Sequence, residues 1–378
     1  MEEENGISYD EVIVMMNSLV GFYEQIDTIQ DYFRIKKKEK VKDLDITDKL
    51  DTIFNDLSMS PLDMDISIEI VDAKIFNPMV QTICSMPLEA QMGRQVNIGV
   101  KENKTGTWLG FTRIASPVMR IKPRNILYGE SVSASKVNSH MVNGCQIIPV
   151  QPFGYNYLGG KLLALISTSH EVREIFNNKY DGKCDILHWE TTSLYGDIKG
   201  VSQYDGLKPF VRYVSLTESE NFLFPTDEIY QPILKSLREY YGVDEFGGRL
   251  VEQKGSGPKM REFNKVISII KSILKDNDME IYNKFHQFTK EKMKSKTKKR
   301  FYYSNYGYDN VKEHMENPSI LLEKGVNYDK FKLDNIIEWW KRKSFSRWTK
   351  LTEENRLKTE LEIYTTESLK DNTFEMIR

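Results

Sequence analysis

The sequence predicts a mixed α/β fold of the α+β kind, with helical extensions at both ends. Three observations predict it. Apolar residues recur at steps of three and four near the start and again after residue 223, which is the helical period. Between them the period falls to two, as in Ile66-Ser67-Ile68-Glu69-Ile70, the mark of a half-buried strand. Strand-like and helix-like segments then alternate up to residue 222, which requires at least one strand–helix–strand crossover. The 378 residues therefore read as a helical segment over 1–62, an α/β core over 63–222 and a basic, mainly helical region over 223–378.

Each element has its own local cause. Ser8 and Glu11 have capping-box spacing, and Val12, Met15, Leu19, Phe22, Ile26, Ile29 and Phe33 follow on one stripe. That helix either packs on the body of the protein or offers a heptad-like seam to a protein partner or a second copy. Lys36 to Lys42 reads as a solvated helix end, and a short helix is expected from Thr47. After the strand at Ile66–Ile70, Val96–Val100 and Trp108–Ile114 flank Asn103 and Gly106 as a hairpin. Ser133–Val142 predicts a short helix and Cys145–Gln151 a strand. Pro149 cannot donate to a ladder, so a bulge or a splaying of the sheet is expected there. A glycine-rich turn and a helix from Leu162 come next, then strands at Asp185–Thr191 and Phe210–Val214.

Composition narrows the function. No run of 18 apolar residues exists, so no transmembrane helix is expected. The acidic start lacks the pattern of a secretory signal. Three scattered cysteines give neither a disulfide framework nor a metal pair, and a reducing, cytoplasmic setting is expected. The five histidines are likewise scattered, so no metal site is predicted. A net charge of −2 excludes a wholly basic nucleic-acid coat but not a confined basic face. Residues 284–300 hold eight Lys or Arg and one Glu. The run including Lys296, Lys298, Lys299 and Arg300 leads into Phe301-Tyr302-Tyr303, and Lys341, Arg342 and Lys343 follow Trp339-Trp340. Such mixtures either form solvated helix faces over buried aromatics or bind nucleic acid through phosphates and bases.

Three places can carry chemistry. Gly154, Gly159, Gly160 and Lys161 lie between a strand and a helix, a pattern that cradles phosphate or simply makes a tight connection. His188 and Glu190 close a strand, where polar groups of α/β folds often face the ligand crevice and can take a proton. Tyr204, in Gly200-Val201-Ser202-Gln203-Tyr204, can act as a general acid or pack as a capped turn.

The middle of the chain, roughly residues 95–220, holds an ordered run of short motifs: Thr107-Trp108-Leu109-Gly110-Phe111, Ile126-Leu127-Tyr128-Gly129, Met141-Val142-Asn143 and Cys145-Gln146-Ile147-Ile148-Pro149-Val150. It continues along Tyr155-Asn156-Tyr157-Leu158-Gly159-Gly160-Lys161-Leu162 and Val201-Ser202-Gln203-Tyr204 to Phe210–Val214. Through these motifs the segment resembles the Druantia DruA family of phage-defence-associated proteins and its viral relatives. That family in turn looks like GNAT acyltransferases, including Mom-type DNA-modification proteins of phages. The resemblance implies a GNAT-like twisted sheet that splays after a bulged central strand. It implies a cofactor loop of Val150, Gln151, Asn156, Leu158, Gly159, Gly160 and Lys161, holding acyl-coenzyme A or another phosphate-bearing donor. Here Asn156 stands where that superfamily usually has Arg or Gln, and Lys161 where it has a small residue. The implied function is a phage or mobile-element transferase acting on a base amine of nucleic acid. His188 or Glu190 would accept a proton and Tyr204 would donate one, with DNA held by the basic C-terminal region. The alternative is a non-catalytic nucleic-acid-binding or assembly protein that keeps the fold.

Overall fold

The computed structural model describes residues 7–44, 46–88, 91, 93–193, 196, 199–241 and 258–370. In chain order the elements begin with α1 (Tyr9–Glu24), α2 (Ile29–Val41), β1 (Ile66–Ile70), α3 (Ala73–Ile83), β2 (Gln95–Glu102) and β3 (Thr107–Ala115). Next come α4 (Lys122–Tyr128), α5 (Ala134–His140), β4 (Met141–Pro149), α6 (Phe153–Asn156), α7 (Gly159–Ile166), α8 (His170–Lys179), β5 (His188–Thr192) and β6 (Arg212–Phe222). The chain continues with α9 (Asp227–Tyr241), α10 (Pro258–Asn277), α11 (Met279–Lys292), β7 (Lys294–Ser304), α12 (Val311–Glu316) and α13 (Leu333–Glu353). The segment at Thr47–Thr52 is a 3-10 turn.

These elements form two units, and the units are not the three consecutive segments expected from the sequence. One comprises Met1–Glu39 with Glu220–Thr297, the other Lys40–Ser219 with Lys298–Arg378. The first is helical. Ser8 caps α1 reciprocally with Glu11, as its spacing predicts. The stripe Val12, Met15, Leu19, Phe22 and Ile26 is buried with Ile233, Leu234 and Leu237 of α9 and Phe263, Val266 and Ile270 of α10. Each fully buried side chain of this size contributes about 1.5–3 kcal/mol. The stripe is thus covered by the chain's own later helices rather than left as a seam. Lys36 and Lys37 are not solvated but buried, and Lys36 is paired with Glu39.

The sheet has the strand order β1-β2-β3-β4-β5-β7-β6. From β1 to β4 each neighbour is antiparallel. β4 and β5 are parallel, and their pairing is confined to Met141↔His188, Val142↔Trp189 and Asn143↔Glu190. β4 then runs on to Pro149 beside β3, so the two strands part after Asn143. The bulge in β4 lies at Cys145, because Ile114 faces Gly144 while Arg113 faces Gln146. Of the two expectations at Pro149, the bulge lies elsewhere, while the splaying holds: Pro149 ends the strand in regular register with Gly110, in the part of β4 that has left β5. A proline at that position breaks no interior ladder. The bulge sits beside Gly144, where any Cβ would come within 2.6 Å of the Trp189 indole.

The largest correction concerns the basic run, which was expected in a mainly helical region. Lys294–Ser304 is a strand, with Trp189↔Ser304, Glu190↔Tyr303 and Thr192↔Phe301 paired antiparallel to β5. Its first half alternates exposed and half-buried residues; its second half, Arg300 to Tyr302, is buried. The aromatic residues at 301–303 give the lysines a strand to ride on. Among the described residues no helix is long and apolar enough to cross a membrane.

Candidate functional site

β5 presents the polar strand end that the sequence singled out. Side chains two apart on a strand share a face, so His188 and Glu190 point the same way. On α4, Arg124 and Tyr128 are four apart and share a helix face. The two pairs meet. Arg124 donates from Nη2 to Glu190 Oε1 at 2.6 Å and from Nε to Oε2 at 2.9 Å. His188 Nε2 lies 3.0 Å from Glu190 Oε2, and His188 Nδ1 lies 2.9 Å from the Tyr128 hydroxyl. All four side chains are buried. Because Glu190 can only accept, Nε2 carries the proton and Nδ1 accepts from Tyr128.

The charges follow from this geometry. Burial lowers the His188 pKa, outweighing the hydrogen bond and charge of Glu190, so the ring is neutral. Burial alone would raise Glu190, but hydrogen bonds from His188 and Arg124 outweigh it and hold the carboxyl below its usual range. Burial also raises the Tyr128 hydroxyl well above its ordinary value. Arg124 also donates from Nη2 to the Val118 carbonyl and from Nη1 to the Met119 carbonyl. The result is a closed polar circuit around one buried carboxylate.

Tyr204 is not part of it. It packs edge-on against Trp189 at 6.5 Å, and its hydroxyl accepts from Gln203 Nε2 at 3.0 Å. Trp189 and Thr191 point to the face of β5 opposite His188 and Glu190. Thr191 donates to the Gly144 carbonyl at 2.7 Å. The expected proton acceptor and proton donor therefore lie on opposite faces of one strand. Burial raises the Tyr204 hydroxyl, so it stays protonated.

Tyr204 instead adjoins the glycine loop. A Cβ on Gly160 would lie 2.2 Å from Gln203 Oε1, and Lys161 donates to the Asp205 carbonyl. Burial lowers the Lys161 pKa against the opposing charge of Asp205. The loop itself is covered by protein. The Asn156 amide donates to the Lys358 carbonyl at 2.8 Å and accepts from the Lys358 amide at 3.0 Å. Trp340 Nε1 and Ser344 Oγ of α13 donate to the Tyr157 carbonyl at 2.9 and 2.7 Å. Gln151 accepts from the Tyr155 amide at 3.0 Å, Val150 is buried, and Leu158 turns the chain in the left-handed region. A Cβ on Gly159 would meet the Phe153 ring at 2.5 Å. Packing thus requires glycine at 159, whereas at 160 the obstacle is the end of the Gln203 side chain.

The basic candidates divide. Lys296 and Lys298 are exposed, and Lys299 is half-buried, with its pKa lowered by burial. Arg300 is buried over the Tyr213 ring at 3.9 Å and donates to the Tyr302 hydroxyl, which donates to Asp205. On α13, Lys341 is half-buried near Glu338, whereas Arg342 and Lys343 are exposed. One turn beyond Lys343, Arg347 lies over the Tyr155 ring at 4.7 Å and donates to the Tyr155 carbonyl. Lys358 lies over the same ring at 4.8 Å. Arg347 and Lys358 bracket Tyr155 from outside the glycine loop, a pairing that spans some 200 residues and that sequence reasoning missed. Glu354 pairs with Arg356, and Glu362 lies near Lys358.

Among the described residues no group of His, Cys, Asp or Glu is arranged to hold a metal ion. Burial pushes the Cys145 thiol up to about 12, far from a reactive thiolate. No curated protein and no solved structure matches the chain. Residues 32–203, from α2 through β5 to the Tyr204 turn and including the whole Arg124–Tyr128–His188–Glu190 circuit, match the family model of the Druantia protein DruA.

Proposed function

We propose that this DruA-like chain is a nucleic-acid-binding component, of the phage-defence or phage-related kind, that engages phosphates through α13 and the segment after it. The observation that carries the reading is the half-buried Tyr155 ring bracketed by Arg347 and Lys358, beside exposed Arg342 and Lys343. Between residues 341 and 358 there are seven Lys or Arg and two Glu. Cations set around an aromatic ring suit a backbone that is anionic and bases that stack. Of the two functions weighed from the sequence, binding is favoured over group transfer. Lys358, Trp340 and Ser344 bond Asn156 and the Tyr157 carbonyl beside the loop that would hold a donor, and the acid and base of a transfer are separated by β5. The parting of β4 from β5 after Asn143 supports a GNAT-like ancestry for the sheet, here put to binding.

Fluorescence anisotropy with labelled duplex and single-stranded DNA over a salt series tests this. The folded protein should bind, and the slope of log K against log salt should fall in magnitude by about 0.7–0.9 for each phosphate contact removed in an Arg342→Ala, Lys343→Ala variant. An unchanged affinity and slope, or no binding by the folded protein, overturns the reading.

A further inference from the structure

The helical unit contains a cavity of about 730 Å³. One wall is a stripe of α10 in which Ser268, Lys271, Ser272 and Lys275 recur at helical spacing. The facing wall comes from α11, where Tyr282 and His286 stand four apart with their rings stacked at 5.5 Å and 23°. Its one lining carboxylate, Glu220, is engaged by Lys294 at 2.8 Å. Lys271 and Lys275 thus face the space beside the hydroxyls of Ser268 and Ser272, and the acid that lines it is already paired with Lys294. The charges that bear on Lys271 and His286 are those of lysines. Burial lowers the Lys271 pKa and Lys290 lowers it further, and His286 is lowered by burial, Lys271 and Lys290 in that order. His286 Nδ1 is a buried atom with no hydrogen-bond partner.

Like charges held together in a partly buried cleft store repulsion that an anion relieves. The hydroxyl and ammonium donors match phosphate oxygens. The stacked Tyr282–His286 pair gives a flat surface of the size of a base. The volume suits one small ligand, for which pockets of about 300–1,000 Å³ are usual. We propose that the α10–α11 cavity binds a nucleoside phosphate, its phosphates on Lys271 and Lys275 and its base against Tyr282 and His286. This site is independent of the DNA-binding reading and of the glycine loop.

Isothermal titration of the full chain with adenosine triphosphate, and separately with inorganic triphosphate, tests the proposal. Adenosine triphosphate should bind the wild type, and Lys275→Ala should weaken it about tenfold or more. Lys275 is exposed, so that variant keeps the fold, which circular dichroism checks. Tyr282→Ala should weaken the nucleotide and leave inorganic triphosphate unchanged. The Arg342→Ala, Lys343→Ala variant should bind the nucleotide as the wild type does, which separates this site from the DNA-binding face. No binding by the folded wild type overturns the proposal, as does wild-type affinity in Lys275→Ala. Equal affinity for the two ligands overturns the base-binding part, and displacement of the nucleotide only by single-stranded DNA would make the cavity a part of a strand-binding track instead.

Discussion

Arg124 holds Glu190 with two nitrogens, at 2.6 and 2.9 Å, and both side chains are sealed from solvent. The pair ties α4 to the middle of the sheet, because Glu190 also stands in register with Asn143 of β4 and Tyr303 of β7. A buried pair of this kind adds little over an apolar replacement, but breaking it leaves an uncompensated charge.

Replacing Arg124 by Met should therefore cost about 3–5 kcal/mol of stability. Adding Glu190→Gln to that variant removes the stranded charge and should recover part of the loss. Urea denaturation of the two variants measures both effects. A single variant within about 1 kcal/mol of wild type would show that water reaches Glu190 and that the seal is not real.

Stability should fall with acid in two stages. His188 has a lowered folded pKa, so the unfolded chain takes up a proton that the folded chain refuses, and stability is lost as pH falls through about 6.5, the unfolded value. His170 is lowered too, first by burial, and adds loss in the same window. The depressed Glu190 contributes stability above about 4.3 that disappears as pH falls further, through its folded pKa. Thermal melts across this range should show the first stage reduced, not abolished, in His188→Gln. An identical profile in that variant would assign the stage to other groups.

The two loop glycines should not be equivalent. Alanine at 159 presses on the Phe153 ring and on the Gly154 backbone, which cannot swing aside, for a cost of about 1–3 kcal/mol. Alanine at 160 displaces the end of Gln203, which gives up weak contacts to the Ile147 carbonyl and the Tyr204 hydroxyl, for about 1 kcal/mol. Denaturant midpoints rank the two. The opposite order would mean that packing is not what keeps glycine at 159.

What the sequence revealed was local. The α1 stripe, its Ser8–Glu11 cap, the alternation in β1 and the β2–β3 hairpin all carry their cause within a few residues of themselves. So did the polar end of β5. The partners of that strand end were illegible, since Arg124 and Tyr128 lie some 60 residues away and a helix face has no signal for which strand it will meet. The glycine loop read equally as a phosphate cradle or a tight connection, because Lys358, Trp340 and Ser344, which cover it, are about 200 residues downstream. β7 was read as part of a mainly helical region because eight cations in seventeen residues mask a strand whose partner is β5. Helical spacing of charges is a weak signal when pairing decides the outcome.

The interleaving of the units has a consequence in time. α1 leaves the ribosome well before the residues that cover its stripe, which lie in α9 to α11, the last of them near residue 292. At ordinary synthesis rates of about 5–20 residues per second, the interval is on the order of tens of seconds. Through that interval Val12, Met15, Leu19 and Phe22 form an amphipathic helix whose apolar side is without its native cover. The α/β sheet waits as well, because β7, which seats between β5 and β6, is made only after the helices that close over α1. Nascent chains of this protein thus carry two unfinished apolar surfaces at once, and both are completed by the same short stretch, residues 258–304.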